Sequence, residues 1–134
     1  MDIDHFEKVK GFLNEMGFDF KKDDPKDEIV VIEDEDQGIS NLVIDCEYPI
    51  LILEQFIFDL KGKPSENTYK RLLQMNRNLV HGAFAIDDSG NKVVFRDTLQ
   101  LENLDQNELE GSINALSLAM VENSEELIKF ARGQ

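Results

Sequence analysis

This chain has one cysteine, two histidines, three prolines and no tryptophan in 134 residues, and half as many basic as acidic side chains, 14 against 28. Each shortage removes a class of chemistry. A lone thiol, Cys46, excludes an intramolecular disulfide and a cysteine-built zinc cage. It alternates in phase with Leu42 and Ile44, so the expectation is a buried small hydrophobe rather than a reactive thiol. Neither H-E-x-x-H nor H-x-x-x-H surrounds His5 or His81, and His81, just past a predicted helix, is expected beside that helix's free carbonyls. The shortage of Lys and Arg leaves a formal charge of −14. A nucleic-acid surface works by displacing counterions with cationic side chains, so nucleic acid and anionic membranes are not expected partners. The same charge either keeps the chain dispersed or recruits a basic partner.

Long apolar runs are also missing. Tyr48–Leu60 is the longest near-apolar stretch, and Glu54, Gln55 and Asp59 interrupt it. Nothing approaches the roughly 20 apolar residues of a membrane-spanning helix. Met1-Asp2-Ile3-Asp4-His5 lacks the basic and apolar parts of a signal peptide, so the expected location is the cytoplasm. Phosphate-loop, G-x-G-x-x-G and G-x-S-x-G patterns are absent. Glu33-Asp34-Glu35-Asp36 before Gly38, and Asp87–Asn91 with Gly90, both miss the register of an EF-hand loop and read as solvated turns. The expectation is therefore a protein that is not an enzyme, with no catalytic, cofactor-binding or metal-binding residue assigned and no cofactor.

What is present is local punctuation. Asp4 with Glu7 starts a helix over 4–16 that carries Phe6, Val9 and Leu13 at helical spacing and ends at Gly17. Phe18 and Phe20 alternate as a short strand, and the polar stretch 21–28 with Pro25 reads as a turn or loop. Ile29–Ile32 and Ile39–Glu47 read as strands; in the second, Leu42, Ile44 and Cys46 oppose Asn41, Val43, Asp45 and Glu47. Ile50–Leu60 is a further strand. Ser65 caps a helix over 66–79, with Tyr69, Leu72, Leu73, Asn76, Leu79 and Val80 on one face. Asn76 and Arg77 interrupt that face; the favoured reading has them engaging free carbonyls at the helix end, the other a polar recognition point. His81–Asp87 and Asn91–Gln100 form a hairpin around Asp88-Ser89-Gly90. Asp105 with Glu108 opens a last helix over 105–131, its stripe of Leu109, Ile113, Leu116, Met120 and Leu127 broadened by Leu118, Val121 and Ile128. Gly111 within it is a weak point or a close-packing site. The order α, three or four β, α, β, β, α with short turns predicts one α+β domain over 1–134, an antiparallel sheet packed with helices.

Leu72-Leu73-Gln74-Met75-Asn76-Arg77-Asn78-Leu79, the Ala83–Ile86 strand, the Asp87–Asn91 turn, Val93-Val94-Phe95-Arg96, and Leu101-Glu102-Asn103-Leu104-Asp105 ahead of a long helix resemble the bacterial YbjN-like proteins. These are similar in fold to type III secretion chaperones of the Tir type. The resemblance is close over residues 66–130 and follows only the element order before that. It implies a chaperone-like α+β fold, often dimeric, that binds protein segments and has no catalytic residues. Three functions stay open at this stage. One is an interaction module, chaperone-like or regulatory, with a protein partner or client and a homodimeric state. Another is a small-ligand binder or enzyme using carboxylates in a sheet–helix cleft, and the third is a structural subunit of a larger assembly.

Overall fold

The computed structural model describes residues 3–62 and 64–134. Among them the chain forms α1 (His5–Glu15), β1 (Phe20–Asp24), β2 (Ile29–Asp34), a single 3-10 turn (Glu35–Gln37), β3 (Ile39–Glu47), β4 (Ile50–Asp59), α2 (Glu66–Arg77), β5 (Ala83–Ile86), β6 (Lys92–Gln100) and α3 (Gln106–Ala131). Each helix starts where an oxygen-bearing side chain satisfies a free backbone donor. Asp4 Oδ1 accepts from the Glu7 N–H at 3.1 Å, Ser65 Oγ from Thr68 at 3.2 Å, and Asp105 Oδ1 from Glu108 at 2.8 Å.

The strands make one six-stranded antiparallel sheet in the order β1-β2-β3-β4-β6-β5. The architecture is the expected α+β one. Chain order breaks once: β6 inserts between β4 and β5, so Phe95 pairs Gln55 on one side and Phe84 on the other. Period-two alternation assigns the faces. Val30, Ile32, Leu42, Ile44, Cys46, Leu51 and Leu53 are buried on one face, where they form a core with Phe6, Val9 and Leu13 of α1 and Leu109, Ile113 and Leu116 of α3. Residues facing the other way, such as Val31, Val43 and Ile52, keep part of their surface in water. An irregularity between Phe56 and Phe58 resets the phase, so Phe58 returns to the core 6.3 Å from the Phe130 ring.

Two readings need correction. β1 occupies Phe20–Asp24: Phe20 lies in the expected short strand, but Phe18 does not, and Lys21–Asp24 fall in the stretch expected to be turn or loop. Pairing with β2, Asp23 opposite Val30, holds this charged segment extended, a long-range cause that local alternation does not carry. α2 ends at Arg77, and its buried positions are Thr68, Leu72 and Met75. Leu73 and Val80, expected on the buried face, are 70% and 85% exposed.

Candidate interaction surface along the last helix

α3 has more apolar circumference than the sheet can cover. Its inner face, from Leu109 through Leu116 to Leu127 and Phe130, is buried. Leu118, Val121 and Ile128 lie about a quarter to a half turn away at 100° per residue, and they are 58%, 58% and 49% exposed. These three side chains, expected to widen the buried stripe, instead form an apolar ridge facing water. The helix beneath is fixed at both ends. Ser112 Oγ donates to Asp97 Oδ2 at 2.7 Å, joining α3 to β6. The Arg71 guanidinium donates to both Glu126 carboxylate oxygens at 2.7 and 3.0 Å, joining α2 to α3. That fork holds Glu126 below the usual glutamate range.

A groove flanks the ridge on each side. Between α2 and α3 lies a hollow of about 420 Å³, with Met75, Leu79, Ala115 and Ala119 in its floor and Val80 and Leu118 on its rim. Here His81 reaches across to α3: its Nε2 lies 3.2 Å from where a side chain at Gly111 would begin. Gly111 is thus a close-packing site, and His81 lies against α3 at the groove wall. On the opposite flank a hollow of about 410 Å³ opens between α3, β4 and the 3-10 turn, lined by Ile57, Met120, Leu127 and Ala131. A smaller hollow of about 260 Å³ lies between α2 and β5, beside Tyr69, Leu73 and Ile86.

The sheet edges are less accessible than the grooves. At the β5 edge, Asn76 Nδ2 donates to the Phe84 carbonyl at 3.0 Å and its Oδ1 accepts from the Phe84 N–H at 2.7 Å. One amide therefore occupies both edge groups of Phe84, as a neighbouring strand would. Asn76 is structural, as favoured from sequence, but it serves β5 rather than its own helix end. At the other edge, β1 presents Lys21, Lys22, Asp23 and Asp24, a charged pattern that discourages strand addition.

The remaining sequence candidates resolve as structure. Burial pushes the Cys46 thiol up to about 12, with the nearby carboxylates Glu28 and Asp45 adding to it, so a nucleophilic thiolate does not form near neutrality. His5 stacks near Tyr48 at 5.3 Å between ring centroids. Asp87 shapes the hairpin turn, accepting from Ser89 Oγ at 2.7 Å and from the Lys92 N–H at 3.2 Å. Among the described residues, no group of three or more His, Cys, Asp or Glu side chains is placed to hold a metal ion. Two features carried no sequence assignment. Asp45, on the open sheet face, is pushed up to about 6, first by burial and then by Glu47, Asp27 and Glu28; its Oδ1 is buried without a hydrogen-bond partner. Gln55, 2% exposed, takes the Ser40 N–H on its Oε1 at 2.9 Å and donates through Nε2 to the Gly38 carbonyl at 3.0 Å.

The sequence pattern of the family described as CesT_Tir_1 matches residues 2–133. In fold the chain is similar to YbjN from E. coli, described as a candidate transcription regulator, with a TM-score of 0.63 at 12% identity over 90% of this chain and 92% of that one. It is similar to a chain of the HopA1–SchA chaperone–effector complex, with a TM-score of 0.61 at 14% identity over 98% of both. It is also similar to a chain of the complex of the Yersinia pestis type III secretion chaperone SycH with a stable fragment of YscM2, with a TM-score of 0.57 at 11% identity over 94% of this chain and 98% of that one. Comparison with curated protein sequences gives no match.

Proposed function

The chain belongs to the CesT_Tir_1 family, and from that premise we propose that it is a non-enzymatic interaction module, chaperone-like or regulatory, that binds a segment of a partner protein. The observation that carries this reading is the exposed ridge of Leu118, Val121 and Ile128 with an apolar-floored groove on either side. Contiguous exposed apolar surface marks interaction sites on soluble domains, and a groove along a helix suits an amphipathic segment. The fold likeness to a chain of a chaperone–effector complex and to a chain of a chaperone's complex with a fragment of a second protein points the same way. The rival reading placed carboxylates in a sheet–helix cleft. The groove beside β4 is such a cleft, but its floor is apolar and its acids, Glu35 and Asp36, are exposed at the mouth, while Glu122 is the one acid lining the α2–α3 groove.

In this proposal residues 1–134 act as one cytoplasmic domain, and neither nucleic acid nor membrane is a partner, because −14 opposes both. The chain also works as a homodimer. Exposed Tyr69, Leu73 and Ile86 around the α2–β5 hollow supply an apolar patch separate from the ridge. Light scattering then reports about twice 15.4 kDa; a monomer at all micromolar concentrations rejects the dimer alone. The binding function is tested by recovering partners from native lysate and repeating the capture with Leu118→Asp/Val121→Asp. A stoichiometric protein that the variant loses supports the reading. Turnover of a small molecule by the purified chain, abolished by replacing one carboxylate, overturns it.

A further inference from the structure

We propose that the groove between the 3-10 turn and the C-terminal half of α3 recognises a cationic amphipathic segment of the partner, apolar side chains in the groove and a lysine or arginine on Glu35 and Asp36. This rests on the segment-binding reading and adds where the segment binds and what chemistry it carries.

The groove joins an apolar floor to two carboxylates carried on a turn whose backbone is held in place. Ile57, Met120, Leu127 and Ala131 line it, while Glu35 and Asp36 stand at its mouth. Both acids are exposed, and among the described residues neither enters an ion pair. Two devices hold their turn against α3. Gly38 closes it at φ 75°, and its Cα comes so near the helix that a side chain there would begin 2.7 Å from Met120 Cβ. Only glycine combines that dihedral with that approach. Behind it, buried Gln55 bonds the backbone on both sides of Ile39, through Gly38 and Ser40. The backbone of the acidic turn is thus fixed beside the floor, and a cation presented there meets two carboxylates without first having to order the segment that carries them.

The choice of occupant follows from charge and shape. The homodimer is assigned the separate patch at the α2–β5 hollow, and the two acids at this groove's mouth, Glu35 and Asp36, call for a basic partner, which a chain with 28 acids and 14 bases is poorly suited to supply. A small apolar molecule would be left half in water, because Val121 and Ile128 form an open ridge and not an enclosing wall. A chain segment can straddle that ridge, and a basic side chain beside its apolar ones matches what the rim offers.

The test uses the full chain, 15N-labelled, with a 15-residue leucine–lysine peptide as the probe and a leucine–glutamate peptide as its counterpart. Titration in about 0.15 M salt is read by amide shifts. The expected result is saturable shifts at Gly38, Val121, Ser124 and Ile128, at least tenfold weaker binding by Glu35→Gln/Asp36→Asn, and less than twofold weakening by Glu15→Gln/Asp19→Asn, which removes the same charge elsewhere. Equal weakening by both double variants, or equal binding of the leucine–glutamate peptide, overturns the assigned chemistry. Shifts confined to the α2–α3 groove overturn the site and leave the segment-binding reading standing. Shifts at this groove that follow protein concentration without peptide identify a second copy as the occupant and overturn the proposal. No binding of either peptide overturns the proposal, while the lysate capture with Leu118→Asp/Val121→Asp separately decides the parent reading.

Discussion

Replacing Gln55 tests whether one buried amide organises the acidic turn. Gln55→Met keeps nearly the same volume and removes both hydrogen bonds, leaving the Ser40 N–H and the Gly38 carbonyl without their partner. An orphaned buried backbone group costs about 1–3 kcal/mol. Ser40 is exposed and Gly38 half-buried, so water recovers part of the loss, and the expected destabilisation is about 2–3 kcal/mol. For a chain of this size that lowers Tm by roughly 10 °C. Urea unfolding near pH 7 measures it, with an unchanged m value showing that the two end states are the same. Gln55→Glu sharpens the test. Near neutrality a carboxylate there can still accept from Ser40 but faces the Gly38 carbonyl with no proton to donate, so this variant is less stable than Gln55→Met. Burial raises the folded-state pKa of the new acid above its unfolded value. The folded state then binds the extra proton, and the deficit relative to the parent at the same pH shrinks as pH falls through that pKa. A Gln55→Met variant within about 0.5 kcal/mol of the parent, inside the range of ordinary surface substitutions, refutes the reasoning. So does a Gln55→Glu deficit that grows on acidification.

Asp45→Asn removes a carboxylate whose pKa rises on folding to about 6. A raised folded-state pKa gives stability that is present below the unfolded value near 4 and lost as pH climbs through about 6. Partial contact with water trims the effect, so the variant gains about 1–2 kcal/mol at pH 7.5 and little at pH 4, read by urea unfolding at both. Asn76→Ala strips two bonds from the β5 edge. It costs about 2 kcal/mol and exposes a strand edge, so scattering mass rises with concentration more steeply than for the parent. With a recovered basic partner, the −14 charge accelerates encounter and salt screens it. Stopped-flow then shows the association rate falling with ionic strength while dissociation changes little; an association rate indifferent to salt removes the steering claim.

The helix starts were legible because their cause is local. Asp4, Ser65 and Asp105 each stand three residues before the N–H they cap. β3 was legible because its alternation separates Leu42, Ile44 and Cys46 from their neighbours. β1 was not, since Lys21–Asp24 has no apolar phase and is held by β2. The surface along α3 was half legible. Hydrophobicity marked Leu118, Val121 and Ile128, but which sector of a helix meets the sheet is decided by tertiary packing. Gln55 carried a signal that could have been used: it falls in phase with Leu51 and Leu53, so a strand there puts a polar side chain into the core, and buried polar groups have partners. Its partners in the turn, like Asn76 on Phe84 and His81 against Gly111, exist only once distant segments meet.

The guarded sheet edges shape what kind of recognition is favoured. A partner adding as a strand would take its affinity mainly from main-chain hydrogen bonds. Asn76 at one edge and the charges of β1 at the other leave little room for that. What stays open is side-chain surface, where affinity depends on which residues the partner brings. The ridge alone is too small. Covering the exposed halves of Leu118, Val121 and Ile128 is worth roughly 1 kcal/mol each, and association itself costs at least about 4 kcal/mol. Micromolar binding needs about 8 kcal/mol net. A partner must therefore fill the groove floors as well, and since the grooves lie on opposite flanks of α3, it must cross a helix about 10 Å wide to reach both. The geometry accordingly favours a segment that seats its basic residues at the acidic turn and its apolar residues in the groove beside it, and that gains affinity when it is long enough to cross α3 into the second groove.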